Sequence, residues 1–255
     1  VGNFRRSRGG EFHAITNTRR PLLLDNVVRL RTRIGVPRRI AAAGEHPLAL
    51  ARGRDGILYV PETPSPAAPK PLLVLLHHDG GRAQSWIRVA REPAEALGVV
   101  LLVPESRRSA WDVGPSTIDA DIHFIDRAIA EASQRVRIDP RCVAIGGFAM
   151  GASLALTIGL ANGDLFTSVL AFSPGFYAET EPVGRPRIFL AHGTADPVHP
   201  VLFSARPLVA GLRKQRYQVT TVEFEGGHEL PPDILAQAME WMQRDGKSTD
   251  ARERG

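Results

Sequence analysis

Four short segments of this 255-residue chain hold residue types that could do chemistry. The first is Gly146-Gly147-Phe148-Ala149-Met150-Gly151-Ala152, with a glycine two residues before and two after position 149. That is the spacing of a G-x-S-x-G turn, where a sharp strand-to-helix bend lifts a Ser hydroxyl over a helix N-terminus that favours developing negative charge. Here the position is Ala149, and a methyl group cannot attack a carbonyl. A Gly-rich turn with no catalytic purpose has the same pattern. The second segment, His192 to Pro200, carries Asp196 before a Pro, where an Asp can equally serve to start a turn. The third, Glu225-Gly226-Gly227-His228-Glu229, puts a His after a glycine pair, free to enter a cleft or to sit exposed. Ala149, Asp196 and His228 thus follow the chain order nucleophile, acid, base, one of the known orders of nucleophilic triads. The fourth segment is His77-His78-Asp79-Gly80-Gly81, after an apolar run, where a second oxyanion-stabilising amide would arise. Gly80 and Gly81 let its backbone turn N–H groups inward. Adjacent His side chains point in different directions, so His77 is expected to tie the loop by a hydrogen bond rather than to hold a metal.

These segments need elements to position them. Apolar runs at 72–76, 99–103, 142–145, 169–172 and 188–191 read as strands covered on both faces, and 219–224 alternates as a last strand. Helices are expected at 82–97, 151–161, 201–215 and 232–243. Between them Ile118, Ile122, Ile125, Ile129, Ala132 and Val136 step by three and four, an apolar helical stripe. Residues 48–50 and 57–60 read as a hairpin turned by Asp55-Gly56, and 61–71, with five Pro, as a loop. Short apolar strands alternating with helices predict an α/β fold, a mostly parallel sheet with helices on both faces. In such sheets, chemistry collects on the loops at the carboxyl ends of the strands, where all four segments fall.

Composition sets outer bounds. The chain is 43% hydrophobic and 23% charged, ordinary for a globular protein, and its lone Cys142 excludes an intrachain disulfide and a cysteine-held zinc. Residues 1–45 hold ten Arg, no Lys and three acids, net +7, while the remainder is net −2. The expected organisation is an Arg-rich extension at 1–45, a domain at 46–243 and a polar tail at 244–255. The extension reads as a solvated arm, with an anionic partner as the alternative; no nucleic-acid-reading motif accompanies it. No run approaches the ~20 apolar residues of a membrane span, and no apolar signal core follows the Arg pairs. The chain begins at Val1, consistent with a removed upstream segment, and a cytoplasmic location is the default expectation.

Between residues 46 and 243 the sequence resembles α/β-hydrolase-fold esterases of the phospholipase/carboxylesterase type, close to polyhydroxybutyrate-depolymerase-like esterases. The residues that carry the likeness are Gly53 to Pro61, His77 to Gly81, Trp111-Asp112-Val113, Gly146-Gly147-Phe148 and Gly151-Ala152-Ser153. Asn162 to Phe166, Ala171 to Phe176, His192-Gly193-Thr194, Asp196 and Gly226-Gly227-His228 complete it. The resemblance implies the α/β-hydrolase fold and ester hydrolysis, with the nucleophilic Ser falling on Ala149, the acid on Asp196 and the base on His228. It places the oxyanion amides on Met150 and Asp79; His78 stands where the family commonly has Gly, adding bulk beside that loop. Trp111 and Phe176 are the expected substrate contacts, and a small-molecule or oligomeric ester the expected partner, with no metal or cofactor. The retained acid, base and glycines suggest a Ser→Ala replacement at the reactive atom alone; the alternative is a natural non-catalytic pseudohydrolase that binds a ligand in the cleft. Ser153 is expected to pack within a helix without catalytic use, and Trp86 and Trp241 to lie in the core.

Overall fold

The structure is a computed structural model and describes residues 27–63, 65, 67–112 and 118–244. Residues 1–26 of the Arg-rich segment, the tail from 245 and Val113 lie outside the described residues. The strands are β1 (Gly44–Pro47), β2 (Gly56–Val60), β3 (Lys70–Leu76), β4 (Val100–Pro104), β5 (Ile138–Phe148), β6 (Ser168–Phe172), β7 (Arg187–Gly193) and β8 (Val219–Phe224). They form one eight-stranded sheet in the order β1-β2-β4-β3-β5-β6-β7-β8. β1 and β2 pair antiparallel, β2 meets β4 antiparallel, and all further pairs are parallel.

The continuous apolar runs follow from this sheet being covered on both sides. Successive strand residues point to opposite faces. In β3, Leu72, Val74 and Leu76 enter one core, while Leu73 and Leu75 enter the other. The first core is closed by α2 (Asp119–Arg135), α3 (Met150–Ala161) and α4 (Ala205–Lys214), and the second by α1 (Ala83–Leu97) and α5 (Pro232–Arg244). The isoleucine stripe of α2 is buried along its length. Edge strand β8 has no residue in the most buried class, as its alternation predicts.

Three expectations change. The first strand is Gly44–Pro47, not 48–50: Pro47 pairs with Ile57, and 48–55 form the connection. Asp55 is not the corner of a two-residue turn; its carboxylate accepts from the amides of Ala49, Leu50 and Ala51 and holds this longer loop. Residues 27–45 do not stand apart as a solvated arm. Val28 and Leu30 are buried in the first core, Arg29 pairs with Asp164 at 2.9 Å, and the Asp126 carboxylate accepts from the Arg31 and Thr32 amides. The helix expected from 201 starts at Ala205, after turns at 201–204. Among the described residues, no helix is long and apolar enough to cross a membrane.

Candidate active site

The 146–152 segment joins β5 to α3 through a single bent residue. Ala149 has φ 54° and ψ −117°, a conformation that residues with a Cβ rarely adopt. Two glycines make the bend possible. A Cβ on Gly147 would lie 2.5 Å from the Gly151 backbone, and one on Gly151 would lie 2.4 Å from the Leu76 carbonyl and 2.5 Å from that of His77. The helix therefore starts in backbone contact with the end of β3. Ala149 N–H donates to Phe172 O at 2.9 Å, locking the turn to β6. The Met150 amide opens α3, where first-turn N–H groups have no acceptor inside the helix.

Asp196 and His228 come from the loops after β7 and β8, and the structure brings them together. His228 Nδ1 lies 2.7 Å from Asp196 Oδ2. The approach of the two loops depends on Gly193, where a Cβ would sit 2.2 Å from Gly227 O, and on Ala195 N–H donating to Gly226 O. Asp196 is 4% exposed and saturated with donors: Oδ1 accepts from the Val198 and His199 amides, each at 2.8 Å, and Oδ2 is also 3.3 Å from His192 Nε2. Burial opposes its charge, but the His199 amide, His228 and the Val198 amide outweigh burial and hold its carboxyl below the ordinary value. The His228 ring lies 4.8 Å from that of Phe148, the residue before the bend. The bend at Ala149, the His228 imidazole and the Asp196 carboxylate thus belong to one cluster of strand ends.

The loop after β3 reaches the same region, its His78 ring 6.0 Å from that of Phe148. His77 is fully buried; its Nδ1 donates to His78 O at 2.7 Å, and its Nε2 accepts from Ser106 N–H at 3.0 Å. These two bonds require the neutral ring protonated on Nδ1, and burial pushes its pKa down to about 4. The glycine amides do not turn freely inward as expected. Gly80 N–H donates to Ser109 O and Gly81 N–H to His78 O. That leaves the Asp79 amide without a backbone acceptor among the described residues. Arg54 crosses beneath, donating from Nε to Ser106 O at 2.7 Å and from Nη2 to Gly81 O at 2.9 Å.

Residues 104–244, from the end of β4 through α5, match the family model described as Phospholipase/Carboxylesterase. The chain belongs to this family. Feruloyl esterase C of Emericella nidulans is 26% identical over 160 residues, which cover 58% of this chain and 57% of that protein, so the chain spans little more than half its length. Among solved structures, an S-formylglutathione hydrolase of Staphylococcus aureus superposes with TM-score 0.64 at 15% identity, covering 82% of this chain and 99% of that one. A Bacillus cereus carboxylesterase superposes with TM-score 0.57 at 19% identity, covering 76% and 95%. The fold is that of an α/β hydrolase.

Within this phospholipase/carboxylesterase framework the two expected substrate contacts lie differently. Trp111 is 3% exposed; it donates from Nε1 to His77 O at 2.7 Å and stacks on the His77 ring at 4.6 Å, so it braces the loop from beneath. Phe176 is 39% exposed, on the loop after β6. Ser153 packs in α3 as expected, but its hydroxyl also accepts from the Gly175 and Phe176 amides at 3.2 and 3.4 Å, anchoring that loop. Sequence reasoning missed four positioning groups: Arg54, His192, His199 and Asp121, whose carboxylate accepts from the Arg107 and Asp112 amides. Arg54 and His192 lie inside the family likeness without a role of their own, and in the sequence His199 is only a near neighbour of Asp196. Nothing local distinguishes Asp121 from any other helix acid.

Proposed function

We propose that this family member is built to hydrolyse carboxylic esters at the cleft above Ala149, and that with Ala at this position it binds esters without cleaving them. The observation that carries the reading is the 2.7 Å Asp196–His228 contact beside a strained bend at the nucleophile position. With Nδ1–H donated to Asp196, the His228 Nε2 lone pair is available to take a proton from a serine hydroxyl at position 149. Attack on the ester carbonyl would place negative charge on its oxygen, with the Met150 and Asp79 amides as the donors to stabilise it; removing one such donor from a hydrolase costs about 10²–10³ in rate. His228 would then protonate the departing alcohol, and water would cleave the acyl-enzyme with the same ring as base. Phe176, exposed on the cleft side of the sheet, would meet the substrate, while Trp111 acts through the loop it supports.

Ala149→Ser is expected to hydrolyse short-chain p-nitrophenyl esters, with a feruloyl ester included because of the relative's name. The chain as it stands should release nitrophenolate about 10⁶-fold more slowly than that variant. A folded, monodisperse Ala149→Ser protein that stays inert on every ester would overturn the enzyme reading and leave a ligand-binding pseudohydrolase.

A further inference from the structure

Beside His228 stands a second imidazole that the hydrolytic reading does not use. The His199 ring lies edge-on to that of His228, centroids 5.3 Å apart. Its backbone is clamped by the acid that holds His228: His199 N–H donates to Asp196 Oδ1 at 2.8 Å. Its carbonyl accepts from His192 Nε2 at 2.6 Å and Ser204 Oγ at 3.0 Å. The ring itself rests on Gly175, where a Cβ would lie 2.7 Å from His199 Cε1. Ser153 in turn holds the Gly175 amide. The residue is therefore fixed by its backbone and its half-buried ring rests between Gly175 and His228, yet no described residue hydrogen-bonds to either ring nitrogen.

We propose that His199 is a specificity residue of the alcohol-side subsite, hydrogen-bonding a hydroxyl carried by the alcohol portion of the ester. The inference rests on the ester-hydrolysing reading above and narrows it to esters of polyols or hydroxylated alcohols. The base of such a centre returns its proton to the departing alcohol oxygen, so the alcohol portion lies beside His228, and His199 is the ring next to it. A neutral imidazole offers one donor and one acceptor, so it can donate to or accept from a hydroxyl. Burial, with His228 beside it, favours the neutral ring, opposed by the nearby charges of Asp196 and Asp79. Val198, the residue before it, is exposed and would offer apolar surface to the carbon skeleton.

Because position 149 is Ala, intact esters can be titrated onto the chain without turnover. Calorimetry with glyceryl monobutyrate and propyl butyrate is expected to show about tenfold tighter binding of the glyceryl ester, the worth of one net hydrogen bond. His199→Phe, which keeps a ring on Gly175, should reduce the ratio to about one, and His199→Gln should keep part of it. In the unmodified chain, the His199 Cε1 carbon resonance should move with the glyceryl ester and not with the propyl ester; this needs no variant to fold. An equal affinity for the two esters, or a preference that survives His199→Phe, overturns the proposal. Ala149→Ser assayed on propyl butyrate separates the two failures: hydrolysis without a glyceryl preference sinks the His199 assignment alone, and absence of both binding and hydrolysis sinks the ester reading with it.

Discussion

Ala149 holds a backbone conformation that costs about 1–3 kcal/mol, and it does so with no hydroxyl to benefit from it. The bend is therefore imposed by its surroundings: the Phe172 carbonyl that takes its N–H, and the two glycines that let α3 start against β3. Gly151 is the tighter of the two. Its added Cβ would meet two backbone carbonyls, which cannot rotate away as a side chain can. Gly151→Ala is expected to destabilise the protein by about 3 kcal/mol, the upper range for overpacking, measured as a lower urea midpoint with unchanged slope. An unfolding free energy within about 0.5 kcal/mol of the parent's, a rough limit for uncoupled surface changes, would mean that the helix start can shift. The glycine spacing was readable because it is local. That His199 rests on Gly175 was not, since 24 residues separate two positions that only the β6 and β7 ends bring together.

The core elements could be read from their periods, since burial on both faces of a sheet demands unbroken apolar runs and a helix demands a stripe. β1 escaped because its four residues alternate between half-buried and exposed, whereas apolar Leu48 and Leu50 beside it drew the strand assignment. The segment at 27–33 escaped for the opposite reason: its arginines dominate the composition, and the two residues that anchor it, Val28 and Leu30, are few. Asn162, just after α3, holds this segment as a neighbouring strand would. Its Oδ1 accepts from Leu30 N–H, and its Nδ2 donates to Val28 O, each at 2.8 Å. Asn162→Ala leaves a buried donor and a buried acceptor unpaired, at roughly 1–3 kcal/mol each. Trypsin should then cut after Arg29, Arg31 or Arg33 at least tenfold faster than in the parent under native conditions. Unchanged cleavage rates would show that Val28 and Leu30 hold the segment by apolar contact alone.

Acid stability follows from how the molecule as a whole encloses the loop after β3. His77 is sealed by Arg54, which precedes β2, and by the Ser106 amide and Trp111, both from the connection after β4. Its pKa is about 4 in the fold against an ordinary 6.5, so between those values the unfolded chain binds a proton that the native ring refuses. Stability is undiminished above pH 6.5, declines as pH falls through this window, and the penalty is complete below about pH 4, roughly 3 kcal/mol in all. Asp196 acts lower: its depressed pKa gives stability that is lost as pH falls below the ordinary carboxylate range. Urea unfolding at pH 7 and pH 5 should differ by about 2 kcal/mol, and His77→Gln, which can still accept from Ser106 N–H, should flatten that difference. A slope unchanged in His77→Gln would assign the acid sensitivity elsewhere, His199 being the next buried imidazole.

The sequence by itself determined the alternation of buried strands and helices, the glycines of the bend, and the chain order of Ala149, Asp196 and His228, because each depends on residues within a few positions of one another or on linear order. Only the tertiary structure decided that the Asp196 carboxylate serves His228, His192 and two amides at once, that Trp111 supports His77 from beneath, and that His199 faces His228 with no hydrogen bond to its ring nitrogens among the described residues. Those contacts join loops from different strands, and their distances are set by how the sheet stacks its strand ends, which no spacing along the chain records.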